Sequence, residues 1–355
     1  MMCDNSYPPD GCICLTDFLN ITYIDEFSKQ DIENRCEGYA KSAKSNNNNQ
    51  KIGGTICYNA IEMEPFSENL FLDIIDIYKY QAKGYEKGGA DFIFIKDVKS
   101  LGHLRGALLG AKVCSIPTIV SVFVDDDGEL FNGTSLLSAL LVAQSLGAKA
   151  FLINGQDKDI VLKVFAEILP FAKIPIFADC SLWSDNGLVS KITDPLQVVG
   201  EFSEQNTYIC WKQNENSVNI CCSNEKIHKS EISCDYAVAL SSAREPFLFD
   251  EMYEVSAPYS SEEFFPDDFL EIEDLDFDII QIHLTTKQYA YHIAINAYML
   301  EKPVCFLSDD EEILETALIF YKGIALVNCQ CNIPKQRLFE ICQKYGAVLT
   351  KENSY

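Results

Sequence analysis

The chain has 355 residues, enough for one large domain with a smaller one or for two of medium size, and 48% of them are hydrophobic, as in an ordinary globular protein with a core. Its formal net charge of -25 argues against nucleic acid and anionic membrane surfaces as partners, since both need basic patches. The acidity itself reads as solubility.

There are 15 cysteines. Met1 to Pro9 is polar and lacks the charged start and apolar core of a signal peptide. No apolar run is long enough to span a bilayer; Leu136 to Leu146 is interrupted by Ser138, Gln144 and Ser145 at helical spacing. The expectation is a cytoplasmic protein with reduced cysteines, most of them small core residues. No C-x-x-C pair is present, and Cys329-Gln330-Cys331 has only one spacer.

In chain order, residues 12–18 (Cys-Ile-Cys-Leu-Thr-Asp-Phe) read as a short strand, followed by a polar connection and a helix over 30–42. Ser45 to Gln50 is a low-complexity asparagine loop. A strand over 51–58 comes next. Ser67, with Glu68 in the first turn, opens a helix reaching about Gly89. Strand 90–95, helix 101–111 and the β-branched strand 117–124 follow. Asp125-Asp126-Asp127-Gly128 makes a turn. The alternation continues with helix 134–147, closed by a glycine, strand 148–153, helix 157–171 and strand 174–178. A helix over 195–211 and a strand over 217–221 end this run.

The strands are continuous apolar runs separated by helices, the pattern of a parallel sheet covered by helices. So many units in succession favour an α/β fold of the TIM (β/α)8 type over an open sheet. A ligand would then sit where the strands end: Thr16, Asn59, Lys96, Asp125, Asn154, Asp179 and Cys221-Cys222. After Ala243 the composition shifts, and Glu262 to Asp278 is dense in acidic residues. Strands over 278–282, 303–307, 324–328 and 347–350 then alternate with helices over 287–300, 311–321 and 334–345. Four strands cannot close a barrel, so this tail is a parallel half-barrel or packs on the first unit. The division is 11–243, an acidic linker over 244–276, and 277–355.

Gly89-Ala90-Asp91-Phe92-Ile93-Phe94-Ile95, the run S-V-F-V-D-D-D-G-E-L-F-N-G-T-S-L from Ser121, Ala150 to Asn154, and Ile220-Cys221-Cys222 together resemble the homocysteine S-methyltransferase family. Pro303 to Leu318 and Gly323 to Asn328 resemble the start of the pterin-binding barrel that follows this domain in cobalamin-dependent methionine synthases. The resemblance implies a barrel holding zinc through three cysteines, one in an N-C-G motif and two in G-G-C-C-G. Zinc would hold the homocysteine thiol as the thiolate that attacks a methyl donor. A metal lowers a thiol pKa, and the thiolate is the nucleophile.

Carried over residue by residue, the resemblance gives Cys221 and Cys222 as metal ligands, and Thr16 and Asn154 as substrate contacts. The glycines around the cysteine pair are Asn219, Ile220 and Ser223, and N-C-G reads Asn154-Gly155-Gln156, so the third ligand falls on Gly155, which has no ligand atom. Cys180 or Cys57 could replace it. The family glutamate that meets the substrate amine falls on Lys96, which inverts the charge there. Residues 12–18 fit the family's second strand, so the barrel is expected to lack its first. In the tail, Leu307 and His283 replace an aspartate and an asparagine, and Asn328 is kept. No cobalamin-binding segment is expected in this chain.

Blander readings stand beside these. Two thiolates alone make a poor zinc site, and Cys221 and Cys222 also suit a core. Lys96 could bind an anion or pair with Asp97 or Asp125. No Ser-His-Asp set, phosphate loop or nucleic-acid motif is present. Two functions remain. One is a methyltransferase acting on a small thiol, with a degraded zinc and substrate site. The other is an inactive relative that binds a corrinoid protein or a full methionine synthase.

Overall fold

The computed structural model describes residues 13–46, 50–59, 61–131, 133–179, 208–214, 217–223, 236–250, 252–260, 269, 272–273 and 276–350, with 208–214 and 217–223 described at the level of the backbone. The first half alternates as its sequence demands. In order it runs β1 (Ile13–Leu15), α1 (Lys29–Asn46), β2 (Lys51–Cys57), α2 (Phe71–Lys87), β3 (Phe92–Val98), α3 (Leu101–Ala111), β4 (Thr118–Val124), α4 (Leu136–Ser145), β5 (Ala150–Gly155), α5 (Lys158–Ile168) and β6 (Ile176–Asp179). The helices form for recognisable reasons. Along α2 the buried residues Phe71, Ile74, Ile77, Tyr78, Ala82 and Tyr85 recur at helical spacing and make one apolar stripe. Asp157 caps α5 by accepting from the amides of Asp159 and Ile160.

Strands β1 to β6 pair in sequence order and in parallel. Then the pattern changes. A helix was expected over 195–211, but its last residues form β7 (Tyr208–Asn214), parallel to β6. Tyr208-Ile209-Cys210-Trp211 is aromatic and β-branched, and it finds a partner in β8 (Ser217–Ser223), running antiparallel to it. The uniformly parallel sheet of the sequence reading is corrected here. β8 also pairs antiparallel with β1, at Ile13 and Val218. The remainder of the expected helix, and Cys12 at the start of the first expected strand, lie outside the described residues. So does most of the acidic stretch 262–278.

A hairpin that the sequence did not announce follows: β9 (Val238–Ser241) and β10 (Pro246–Phe249). Its turn contains Ala243 and Arg244, where the sequence reading drew a boundary. The Ser242 hydroxyl accepts from the amides of Arg244 and Glu245, which holds the turn without a glycine. The tail is a four-stranded parallel sheet, β11 (Ile280–His283), β12 (Val304–Leu307), β13 (Leu326–Val327) and β14 (Val348–Leu349). Its helices are α6 (Lys287–Asn296), α7 (Glu311–Phe320) and α8 (Lys335–Tyr345).

The tail packs against α2 and α3. Phe71 meets Phe320, and buried Arg105 donates to the carbonyls of Leu318, Gly323 and Tyr345. Ser241 of the hairpin exchanges backbone hydrogen bonds with Ile324. A single apolar cluster runs from Leu19 to Tyr345 through both parts.

Candidate functional site at the strand ends

Two glycines establish which face of the sheet is which. A Cβ at Gly54 would fall 2.5 Å from Tyr85 of α2, whereas one at Gly53 would meet Phe92 and Leu15 of the neighbouring strands. Gly54 therefore faces the helices and Gly53 the inner side. Strand alternation then places Thr55, Cys57, Phe94 and Lys96 on the inner side as well.

The β3–β4 pairing breaks at this level. Ile95 pairs with Val120 and Val98 with Val122, so Lys96 and Asp97 together oppose Ser121. This is a β-bulge, and Asp97 has φ 53°, the left-handed region, at a cost of roughly 1–3 kcal/mol. Its effect is to turn two consecutive side chains the same way. Asp97 Oδ1 accepts from Asn154 Nδ2 at 3.1 Å and Ser121 Oγ at 3.3 Å. Lys96 Nζ stands 3.9 Å from Asp97 Oδ2, the pairing that the sequence offered for it. Asn154 is buried, and its Oδ1 also takes the amide of Gly155.

Asn59 lies beside this group. The Tyr58 amide donates to the Lys96 carbonyl, which keeps the chain beyond β2 level with the bulge. Tyr58's ring packs edge-on against His103 of α3, and the Asn59 amide reaches Tyr78 of α2. Asn59 itself lies two residues beyond Cys57, the register partner of Lys96. It is 5% exposed, and neither carboxamide atom has a hydrogen-bond partner among the described residues. Such a group costs on the order of 1–3 kcal/mol per unpaired atom and calls for an explanation.

Cys57 is half-buried, and burial pushes its thiol up to about 12, with Lys96 opposing the shift. It is a neutral thiol at physiological pH. Thr16 is buried, and its hydroxyl accepts from the Thr55 amide at 2.9 Å. No hydrogen bond joins Thr16 to Asn154. Asp125 serves its turn, accepting from the amides of Asp127 and Glu129. In the tail, Asn328 accepts from the Gln330 amide, and Ser308 donates to the Leu284 carbonyl.

The metal residues divide differently. Position 155 faces the helices: a Cβ there would meet Val161 at 2.8 Å and Val124 at 3.0 Å, so Val124 and Val161 fill the space a side chain would need. Among the described residues no group of three or more His, Cys, Asp or Glu could hold a metal ion. Cys180 lies outside them, and Cys221 and Cys222 are placed by backbone alone. Because β8 runs against its neighbours, Cys221 sits opposite Cys210, and Cys210 is in turn the partner of Ala178. The sequence reading missed Cys210 because it placed that residue in a helix. It named Asn59 as a strand end and Asp97 as a partner for Lys96, but nothing in a strand's composition announces a bulge or an unpaired amide.

A helix-covered α/β sheet with polar side chains gathered where its parallel strands end is a ligand-binding scaffold of the kind that hosts enzymes. Residues 24–228 match the model of the homocysteine S-methyltransferase family, and the chain belongs to that family. No curated protein matches the sequence. Among solved structures, the apo homocysteine methyltransferase MmuM from Escherichia coli is similar at 10% identity and a TM-score of 0.38, over 47% of this chain and 65% of that one. The chain thus spans less than two thirds of that enzyme's length. The type I 3-dehydroquinate dehydratase from Clostridium difficile is similar at 15% identity and a TM-score of 0.30, over 42% of this chain and 59% of that one. Among the described residues no helix is long and apolar enough to cross a membrane.

Proposed function

We propose that the protein is a thiol-binding member of its family, acting in the cytoplasm, with methyl transfer to a thiol as the inherited reaction and with altered zinc and amine contacts. The β1–β8 sheet is read with it as a closed TIM-like barrel. Residues 277–355 are a truncated pterin-binding-like region, joined through 244–276. One observation carries the reading: Val124 and Val161 occupy the space of a side chain at position 155, where the family places a zinc cysteine. The described residues therefore do not fit a three-cysteine zinc centre. Lys96 and Asp97 at the bulge replace the lone carboxylate expected for a substrate amine. The role this supports best is binding without zinc-dependent turnover, as a partner of a corrinoid protein or a full methionine synthase.

A second reading rests on the register of β7 and β8. Cys210 is the register partner of Cys221, so the two share a face of the sheet and could supply two zinc ligands, with Cys180 just beyond β6 in the chain. Zinc analysis of protein purified without chelator separates the two readings, alongside methylation of homocysteine assayed with folate and corrinoid donors. The binding role expects less than about a tenth of an equivalent of zinc and no methylated product. Stoichiometric zinc that disappears in Cys221→Ala/Cys222→Ala or Cys210→Ala, together with methyl transfer, would overturn it.

A further inference from the structure

We infer that a cavity on the side of the sheet where the strands begin takes a medium-length fatty carboxylate, its chain on an apolar floor and its carboxylate at Lys112 and Lys149. The inference goes beyond the proposed function and rests on none of it, because the cavity lies at the opposite end of the strands from the site described above.

The cavity has a volume of about 430 Å³, within the range of small-molecule sites. It is walled by the ends of α3 and α4 and by the loop that leads into β4. Leu108, Ala111 and Leu146, all buried, make its floor with Ile116. Its wall is fixed in advance. Glu86 Oε1 takes both the amide and the hydroxyl of Ser115 at 2.7 Å, and the same carboxylate takes the Cys114 thiol and the Ile116 amide. That acid is therefore committed to the loop, and it does not line the cavity.

The charged residues that do line it are both lysines, in a chain of net charge -25. The Lys149 ammonium has no hydrogen bond or ion pair among the described residues. Lys112 Nζ donates to the carbonyls of Gln343 at 2.9 Å and Lys344 at 2.7 Å, which leaves one of its three N–H groups over. Desolvation, and then the Arg105 charge, pull Lys112 down to about 8, so a negative group arriving there relieves a cost already present. The apolar floor asks for a hydrocarbon chain, and the two ammonium groups for an acid at its end. That acid is singly charged. The helix ends at this level are the C-terminal, negative poles of α3 and α4, which tolerate a carboxylate between cations better than a doubly charged phosphate.

The test is calorimetry on the full chain with four probes: octanoate, 1-octanol, octylammonium and acetate. Octanoate should bind saturably with a Kd below about 1 mM, 1-octanol about tenfold more weakly, and octylammonium and acetate not at all. Lys149→Gln, which removes an exposed ammonium that the fold does not use, should weaken octanoate about fivefold or more. Lys163→Gln, on the exposed face of α5, should leave its affinity unchanged and so separates this cavity from lysines at large. Circular dichroism reports the fold of each variant. Absence of octanoate binding at about 10 mM would overturn the inference. Octanol or octylammonium binding as tightly as octanoate would do so too, since the lysines would then serve only the helix ends. Acetate binding as tightly as octanoate would remove the role of the floor, and a folded Lys149→Gln variant with native affinity would remove that of the lysine; either result overturns the assignment.

Discussion

At the scale of single residues, Gly155 decides what the site can hold. Restoring a cysteine there does not restore a ligand, because its Cβ would lie 2.8 Å from Val161 and 3.0 Å from Val124. Neither neighbour is the flexible end of a long side chain. Gly155→Cys is therefore expected to cost about 1–3 kcal/mol in urea unfolding and to add no zinc. Adding Val161→Ala should recover part of that loss; if the single variant is as stable as the native chain, the packing argument is wrong. Asp97 makes the complementary case. Aspartate tolerates the left-handed region better than alanine does, and its carboxylate holds Ser121 and Asn154. Asp97→Ala should cost about 2 kcal/mol by losing both the hydrogen bonds and this tolerance, and Asp97→Asn noticeably less. Equal losses for the two variants would remove the backbone term.

At the scale of elements, the β2–α2 turn and the hairpins separate what composition can tell from what it cannot. Helices α2 and α5 and strands β2 to β6 lie where periodicity places them, because each buries one stripe or face. β7 does not, since Tyr208 to Trp211 has apolar spacing that suits either period, and only pairing with β8 decides. The β9–β10 turn carries neither glycine nor proline, so nothing in the chain announced it. Within the site, Lys96 and Asn154 were visible as polar residues ending apolar runs. Asn59 was visible as a position but not as an unpaired group. The relay from the Asn59 turn through the Tyr78 hydroxyl to His103, whose Nε2 donates to the Ile61 carbonyl, was hidden, because His103 sits in a helix with no local sign that it meets Tyr78. That relay has a measurable consequence. Burial holds the His103 ring down at about 4 in the folded chain, against an ordinary value near 6.5. Between these values the unfolded chain binds a proton that the folded chain refuses, so stability falls as pH drops through this window. The loss is at most about 3 kcal/mol. Comparing urea midpoints at pH 7 and pH 5 should show a smaller drop for His103→Gln than for the native protein. An identical drop would show that His103 takes up its proton without unfolding.

At the scale of the whole molecule, α3 explains why the tail and the first unit share one core. Residues Leu101 to Leu108 are buried on all sides, which a surface helix of a barrel would not be. One side packs in the first unit and the other meets the tail, where Arg105 is fully buried without a carboxylate. Its Nη2 donates to the Leu318 carbonyl at 2.6 Å and the Tyr345 carbonyl at 2.9 Å, and Nη1 to the Gly323 carbonyl at 3.3 Å. Burial pulls its pKa down to about 10, so the charge persists at neutral pH. Lys112, the C-cap of α3, donates to the carbonyls of Gln343 and Lys344 at the end of α8. A charge held by backbone carbonyls of another segment is lost only when that segment leaves, so the two parts should unfold together. Both tryptophans, Trp183 and Trp211, precede the tail, so fluorescence reports the first unit alone while far-ultraviolet circular dichroism reports both. The two signals should give one coincident transition in the native chain. Arg105→Met, which keeps much of the volume but strips the donors from three buried carbonyls, should lower stability by about 3–5 kcal/mol. Arg105→Lys should fall between, since one ammonium cannot span all three acceptors. A dichroism transition that precedes the fluorescence change in the native chain would mean that the tail releases first, with Arg105 left buried against nothing.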